Sequence, residues 1–247
     1  MTPDPTNFNT GVVAPFDCLK EGWALIKDQY WLFLGITLVG ILIGGAIPIV
    51  LLGPMMVGIF LCLFKKQERQ PVEFGTLFKG FDYFVQGLIV AVIKVVPIII
   101  LMVPFYIIMF AVIMTTMPRD HASQGEARMF VFTLFGLEMV FALVLMIVGI
   151  LIEIFFMFAF PLVADRKLSG LEAVKLSMKA GKANFGGILG LLLLNAVLGI
   201  VGVLCCIVGV YFYLPVIFAS YAVAYRRVFP EIPQSFPPPP PPASWAA

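Results

Sequence analysis

The chain has 247 residues, of which 61% are hydrophobic and only 12% charged, and its mean hydropathy is +1.04. Soluble domains carry about 25% charged residues, so this composition excludes an ordinary water-soluble fold and makes lipid the solvent for much of the chain. The net charge of +2 gives no indication of a nucleic-acid partner. We therefore expect an all-α, polytopic transmembrane helical bundle.

One pattern occurs three times along the chain: a short charged amphipathic segment, a long apolar stretch and a pair of basic residues. The apolar stretches cover residues 31–64, 87–163 and 185–225, and the closing pairs are Lys65-Lys66, Arg166-Lys167 and Arg226-Arg227. The repetition predicts three units, each an amphipathic helix followed by a helical hairpin. They cover 15–67, 72–167 and 169–228, within a membrane domain of 15–229 that follows a flexible N-terminus, 1–14.

The lengths of the apolar stretches predict six spans. A helix needs about 20 residues to cross the hydrocarbon core of a bilayer. The last stretch allows two crossings, and the polar segment 115–129 divides the middle stretch. The first stretch is divided at Gly44, Gly45 and Pro48, because glycine and proline end helices. The predicted spans are 28–46, 48–66, 88–114, one within 130–163 and two within 185–225.

The distribution of positive charge predicts the orientation. With six spans, all 16 lysines and arginines except Lys94, Arg119 and Arg128 fall on one side of the membrane. Loops rich in lysine and arginine mark the cytoplasmic side. We therefore predict a multi-pass protein of a bacterial inner membrane with both termini in the cytoplasm.

Each amphipathic segment has an apolar face typical of a helix in the membrane interface. Its members are Phe16, Leu19, Trp23, Ile26 and Tyr30 in the first, Phe74, Leu77, Phe78, Phe81, Phe84 and Val85 in the second, and Leu171, Val174, Met178 and Phe185 in the third. Ser169 followed by Glu172 predicts a capping box. On the opposite face of the third segment, Lys175, Lys179 and Lys182 are candidate contacts for lipid headgroups. The segments either orient the hairpins or form a surface for a partner.

Four polar residues within the predicted spans form a candidate intramembrane cluster: Lys94, Glu138, Glu153 and Asn195. At about 1.5 Å per residue, all but Glu138 reach a similar depth in the inner half, and Glu138 lies near the outer boundary. An ion pair of Lys94 with Glu153, with Asn195 nearby, would either fix the helix register or relay protons or substrate. Alternatively, Lys94 reaches the inner headgroups and leaves Glu153 alone and protonated.

Patterns typical of catalysis or cofactor binding are missing from the sequence. No phosphate-binding loop, dinucleotide fingerprint or metal-ligand spacing occurs, and the single histidine, His121, lies in a predicted loop. The four cysteines are not spaced as a redox or zinc motif. We therefore predict no enzyme activity, no cofactor and no metal site.

A proline-rich tail follows the membrane domain over residues 230–247. It contains six consecutive prolines: Pro237, Pro238, Pro239, Pro240, Pro241 and Pro242. Such a sequence favours polyproline II over a packed structure, so we expect a disordered cytoplasmic tail. It is either a solubilising tail or a docking peptide for a cytoplasmic proline-binding protein.

Four short motifs give the chain a family resemblance. They are Gly-Pro-Met-Met-Val-Gly at 53–58, Leu-Phe-Lys-Gly-Phe-Asp-Tyr-Phe at 77–84, Phe-Pro-Leu-Val-Ala-Asp at 160–165 and Leu-Glu-Ala-Val-Lys-Leu-Ser at 171–177. With these motifs, most of residues 15–228 resembles a family of uncharacterised bacterial six-helix integral membrane proteins, which is similar to the membrane domain of glycerophosphodiester phosphodiesterases. The resemblance implies a fold and no activity, because no catalytic residue of the phosphodiesterases carries over.

Two functional hypotheses follow from the sequence. The first is a non-enzymatic scaffold or accessory subunit whose proline-rich tail recruits a cytoplasmic partner. The second is a small-molecule or lipid transporter that uses Lys94, Glu153 and Asn195.

Overall fold

All regular structure in the described part of the chain is helical. The computed structural model describes residues 7–117, 123–204 and 208–231. Its α-helices are α1 (Pro15–Ile26), α2 (Tyr30–Ala46), α3 (Leu52–Gln67), α4 (Phe84–Thr116), α5 (Gln124–Phe156), α6 (Ala159–Arg166), α7 (Gly170–Ala183), α8 (Phe185–Leu204) and α9 (Gly209–Val228). Two 3-10 segments, Lys27–Gln29 and Phe74–Tyr83, lead into α2 and α4. The predicted all-α class is confirmed.

Four helical segments of the described residues are long and apolar enough to cross a membrane: Pro15–Ala46, Phe74–Thr116, Gln124–Arg166 and Phe185–Leu204. The chain is therefore a helical membrane protein. Helices α3 and α9 do not belong to this set. Helix α3 has only 16 residues, and the tyrosines and arginines of the 20-residue α9 lower its mean hydropathy. The count of six spans stays a prediction.

The first apolar stretch is divided close to the predicted place, although Gly44 and Gly45 still belong to α2 and the second helix begins four residues later than predicted. Helix α2 ends at Ala46 and α3 begins at Leu52. Between them Ile49 has a φ of 73°, which a β-branched residue rarely adopts outside a tight turn. Pro54 lies in the first turn of α3, where its missing N–H leaves no hydrogen bond unmade. Residues 46–52 therefore form a sharp turn between two short helices.

The three amphipathic segments pack against other helices at glycines. A Cβ added at Gly22 of α1 would lie 2.7 Å from the backbone N of Ser220 in α9. A Cβ at Gly80, in the 3-10 segment before α4, would lie 2.7 Å from the N of Gly58 in α3. One at Gly181 of α7 would lie 2.5 Å from the carbonyl O of Ile154 in α5. Each segment therefore lies against the second helix of a hairpin, at a distance that only glycine permits.

Only part of each predicted apolar face points away from the protein, since Ile26, Leu77 and Val174 of those faces are buried. Phe16 and Trp23 are exposed on α1, and so are Phe78 on the 3-10 segment and Met178 on α7. The buried faces consist mainly of small side chains: Cys18 and Gly22 on α1, Thr76 and Gly80 on the 3-10 segment, and Ala173, Ser177, Ala180 and Gly181 on α7. Close contact through small residues is typical of helix packing in membranes, and it leaves the aromatic rings for lipid.

An aromatic part of the core lies where α3 and α9 end, beside the start of α6. Phe64, Phe158, Tyr225 and Phe229 are buried there in mutual ring contact, with centroid distances of 5.1 Å for Phe64–Tyr225 and 5.7 Å for Phe158–Phe229. The outer part of the α4–α5 hairpin has few buried residues, although Phe105 stacks on Phe141 at 3.5 Å between centroids. The best-packed part of the fold is thus the end that carries the basic pairs.

Candidate functional site

The structure brings Lys94 and Glu153 together. Lys94 lies three turns into α4 and Glu153 near the end of α5, and Lys94 Nζ lies 2.7 Å from Glu153 Oε1. Their side chains are 21% and 44% exposed, so the pair lies at the surface of the protein rather than deep between helices. The two residues that the sequence suggested as a pair are thus in contact, and Glu153 is not isolated in this structure.

Asn195 belongs to a separate polar group. The phenol of Tyr213 donates to Asn195 Oδ1 at 2.7 Å, and Asn195 Nδ2 donates to Ser220 Oγ at 3.3 Å. The Ser220 hydroxyl in turn donates to the carbonyl of Ile217 at 2.7 Å. This buried group joins α8 to α9. The hydrogen bonds of Asn195 in the described chain therefore go to α9 and not to the Lys94–Glu153 pair.

Glu138 lies apart from both groups. It is exposed on α5, 15 residues before Glu153, which corresponds to about 22 Å along the helix. The four residues of the predicted intramembrane cluster thus form one ion pair, one hydrogen-bonded group and one distant carboxylate.

A second polar site, which the sequence did not reveal, lies at the basic ends of the hairpins; we call it the basic-end cluster. At its centre, Arg226 Nη1 lies 2.8 Å from Asp165 Oδ1, and Arg226 Nη2 lies 3.4 Å from Glu68 Oε1. The same guanidinium lies 4.6 Å from the centroid of the Phe64 ring. Tyr225 donates its phenol hydrogen to Asp165 Oδ2 at 2.7 Å. The cluster therefore joins the ends of α3, α6 and α9.

Arg166 holds the start of the tail within this cluster. Its guanidinium lies 4.9 Å from the centroid of the Phe229 ring and donates to the carbonyls of Asn7 and Pro230 at 3.3 and 3.4 Å. Phe229 itself is fully buried against Phe8, Phe158 and Tyr225. The segment before α1 and the segment after α9 are thus fixed at one place.

Acidic residues of the first unit pair with two further residues of the basic ends, Arg227 and Lys66. Arg227 Nη2 lies 2.7 Å from Glu21 Oε1 and Arg227 Nη1 3.7 Å from Asp17 Oδ2, and Lys66 forms an ion pair with Asp28. The signal in the sequence was an acidic residue beside a basic pair, such as Asp165 before Arg166 and Glu68 after Lys66. It was missed because these contacts join residues up to 206 positions apart.

The predicted capping box of α7 is confirmed. The Ser169 hydroxyl accepts from the backbone N–H of Glu172 at 3.4 Å and donates to the Glu172 carboxylate at 2.7 Å. These contacts, above all the hydroxyl donor, hold the pKa of Glu172 below its usual value. The candidate headgroup contacts Lys175, Lys179 and Lys182 are exposed on the same helix. The six prolines of the tail lie outside the described residues.

Comparison with known protein families, with curated proteins and with solved structures finds no match to this chain. The resemblance suggested by the motifs at 53–58 and 77–84 therefore stays a prediction. Within residues 7–117, 123–204 and 208–231, no three histidine, cysteine or acidic side chains come together as a metal-binding group. The function is accordingly inferred from the geometry and the sequence alone.

Proposed function

We propose that the protein is a non-enzymatic scaffold or accessory subunit of a bacterial inner membrane, whose proline-rich tail binds a cytoplasmic protein. The observation that carries the proposal is the attachment of the tail. Phe229 is fully buried, and the carbonyl of Pro230 accepts a hydrogen bond from Arg166. A docking peptide that starts from a fixed point keeps a bound partner at a high local concentration beside the membrane.

We further propose six spans in three similar units, with both termini in the cytoplasm. The order of packing supports this arrangement. The 3-10 segment Phe74–Tyr83 lies on α3 of the first unit, α7 lies on α5 of the second, and α1 lies on α9 of the third. Each amphipathic segment therefore contacts the second helix of the preceding unit in a cyclic order, as expected for a ring with pseudo-threefold symmetry. Family membership with the bacterial six-helix proteins is part of the same proposal.

In this arrangement two of the proposed spans need a further explanation. Helix α3 is short for a membrane span, and α9 has a low mean hydropathy. A short span is accommodated by local thinning of the bilayer, which costs fractions of a kcal/mol per Å of mismatch. The tyrosines of α9 are partly turned inward, because Tyr213 bonds to Asn195 and Tyr225 to Asp165. Both helices can then cross the membrane within the bundle.

Transport of a small molecule or lipid is the second candidate, and the 2.7 Å contact between Lys94 and Glu153 favours it. The engagement of Asn195 with Tyr213 and Ser220 weighs against a relay of three residues. Glu153→Gln separates the two candidates. It abolishes solute flux if the pair transports, and it only lowers stability if the protein is a scaffold.

The test of the scaffold proposal compares the proteins that co-purify with four forms of the full chain: the native chain, two tail variants and Glu153→Gln as the control. One tail variant has Pro237–Pro242 replaced by serine. The other has the residues of 231–247 scrambled, which keeps composition and length but separates the prolines. We expect the same cytoplasmic protein to bind the native chain, to be lost from both tail variants and to be displaced by a synthetic peptide of residues 231–247. Retention of that protein by both variants would contradict the proposal, whereas its retention by Glu153→Gln is expected.

A further inference from the structure

An apolar groove with an aromatic edge lies between α1 and α9. It is open to the surface, has a volume of about 560 Å³ and is lined by Leu19, Trp23, Tyr30, Gly209, Phe212, Tyr213 and Val216. This volume falls within the range of about 300–1,000 Å³ that is usual for ligand pockets. The Tyr30 hydroxyl donates to the Phe212 carbonyl at 2.6 Å and ties the start of α2 to α9 at the groove.

Aromatic rings surround this groove in a continuous chain. The ring centroids are 5.6 Å apart for Trp23–Tyr30, 5.6 Å for Tyr30–Trp31 and 6.4 Å for Trp31–Phe212. Trp23 is 47% exposed and Trp31 is 75% exposed. Tryptophan and tyrosine concentrate at the level of the lipid headgroups. The exposed rings of Trp23 and Trp31 therefore favour a groove that reaches the level of the headgroups.

The acidic residues around α1 form ion pairs with basic residues of other helices and not with the lysines beside the groove. Asp17 and Glu21 pair with Arg227, and Asp28 pairs with Lys66. Lys20 and Lys27 are exposed, and in the described part of the chain neither forms an ion pair. Lys20 lies three residues before Trp23 and Lys27 four residues after it. Residues at these spacings are neighbours on a helix surface, so both lysines lie beside the Trp23 edge of the groove.

We propose that this groove binds an anionic phospholipid of the surrounding bilayer. One acyl chain occupies the space between α1 and α9, and Lys20 and Lys27 contact the phosphate. The apolar lining excludes a polar solute, and the two lysines favour an anionic headgroup over a zwitterionic one. The site does not involve the tail, so it stands or fails independently of the partner proposed above.

The test uses fluorescence of Trp23 in the full-length protein. Trp31→Phe with Trp245→Phe leaves Trp23 as the only tryptophan of the three. The protein is placed in vesicles of phosphatidylcholine with a minor fraction of phosphatidylglycerol, with bromine on the acyl chains of one lipid or of the other. Bromine quenches tryptophan fluorescence only at close range. The ratio of the quenching by brominated phosphatidylglycerol to that by brominated phosphatidylcholine therefore measures which lipid lies in the groove.

We expect brominated phosphatidylglycerol to quench Trp23 more than its mole fraction accounts for. The preference should fall about fivefold for each of Lys20→Gln and Lys27→Gln. The matched control, Lys79→Gln with Lys167→Gln, removes two exposed lysines that do not line the groove and should leave the preference unchanged. Quenching in proportion to mole fraction would mean that bulk lipid contacts Trp23 without selection, and it would overturn the proposal. A preference for phosphatidylglycerol that survives the replacement of Lys20 and Lys27 would also overturn the proposal. The same holds if the control variant lowers the preference as much as these replacements do.

Discussion

Tyr225 donates a hydrogen bond to Asp165 at 2.7 Å and thereby joins the end of α9 to the end of α6, two helices 60 residues apart in sequence. Asp165 also pairs with Arg226, the neighbour of Tyr225, at 2.8 Å. The Asp165 carboxylate thus contacts two adjacent residues of another unit, Tyr225 through one oxygen and Arg226 through the other. This contact lies at the centre of the basic-end cluster, which holds the start of the tail.

Asp165→Asn should destabilise the protein by about 2 kcal/mol, because it removes a charge-assisted contact to Arg226, whose side chain is only 13% exposed. The matched control is Glu21→Gln. Glu21 pairs with Arg227 at 2.7 Å, but its side chain is 56% exposed, so we expect a loss below about 1 kcal/mol. Thermal unfolding in detergent measures both. Equal losses would show that the basic-end cluster is no more important than an ordinary surface ion pair.

The glycines at the crossings of the amphipathic segments should not tolerate alanine. Gly22→Ala, Gly80→Ala and Gly181→Ala each place a Cβ within 2.7 Å of backbone atoms, and such overpacking costs about 1–3 kcal/mol. Gly149→Ala and Gly199→Ala are matched controls, because a Cβ at either position meets nothing within 4 Å. In helices they should be neutral or stabilising. Unfolding in detergent should separate the two groups, and no difference would rule out close packing at the crossings.

The Lys94–Glu153 pair should show strong coupling in a double-mutant cycle. Lys94→Met or Glu153→Gln alone leaves one unpaired charge in a membrane helix, and we expect a loss of about 2 kcal/mol for each. The double replacement removes both charges and should recover most of that loss. Losses that simply add would mean that the 2.7 Å contact contributes no interaction energy.

The capping box of α7 gives stability a specific dependence on pH. The pKa of Glu172 is lowered in the folded protein by the Ser169 hydroxyl, so its carboxylate form favours folding. This contribution is present at neutral pH and is lost as the pH falls through the lowered pKa. When the pH is lowered from neutral to acidic, the free energy of unfolding should therefore fall less in the Glu172→Gln variant than in the native chain. Identical pH profiles of the two proteins would contradict this assignment. The Ser169→Ala replacement, which removes the cap itself, should lower the free energy of unfolding by about 1 kcal/mol at neutral pH.

The local features of the fold could be predicted from the sequence, because each depends on neighbouring residues. Gly44, Gly45 and Pro48 predicted the turn between α2 and α3, and Ser169 with Glu172 predicted the start of α7. The pairing of Lys94 with Glu153 followed from their similar depth in the membrane. Depth alone could not exclude Asn195 from that pair, because depth does not reveal which way a helix faces.

The contacts between units could not be predicted in the same way. The basic-end cluster joins Glu68, directly after the first unit, to Asp165 of the second unit and Arg226 of the third, and a hydropathy pattern contains no information on such pairing. The stripes of small residues on the amphipathic segments were present in the sequence. They were passed over because the aromatic face gives the stronger periodic signal, although the small face makes the protein contact at Gly22 and Gly181.

The most direct test of the proposed architecture is the labelling of single cysteines in intact cells, in a chain whose four native cysteines are replaced. Six spans with cytoplasmic termini predict that Ser123→Cys reacts with an impermeant reagent from outside. Gln70→Cys and Ser235→Cys should react only after the membrane is permeabilised. Reaction of Gln70→Cys from outside would place the turn after α3 on the wrong side of the membrane and would contradict the six-span, three-unit account.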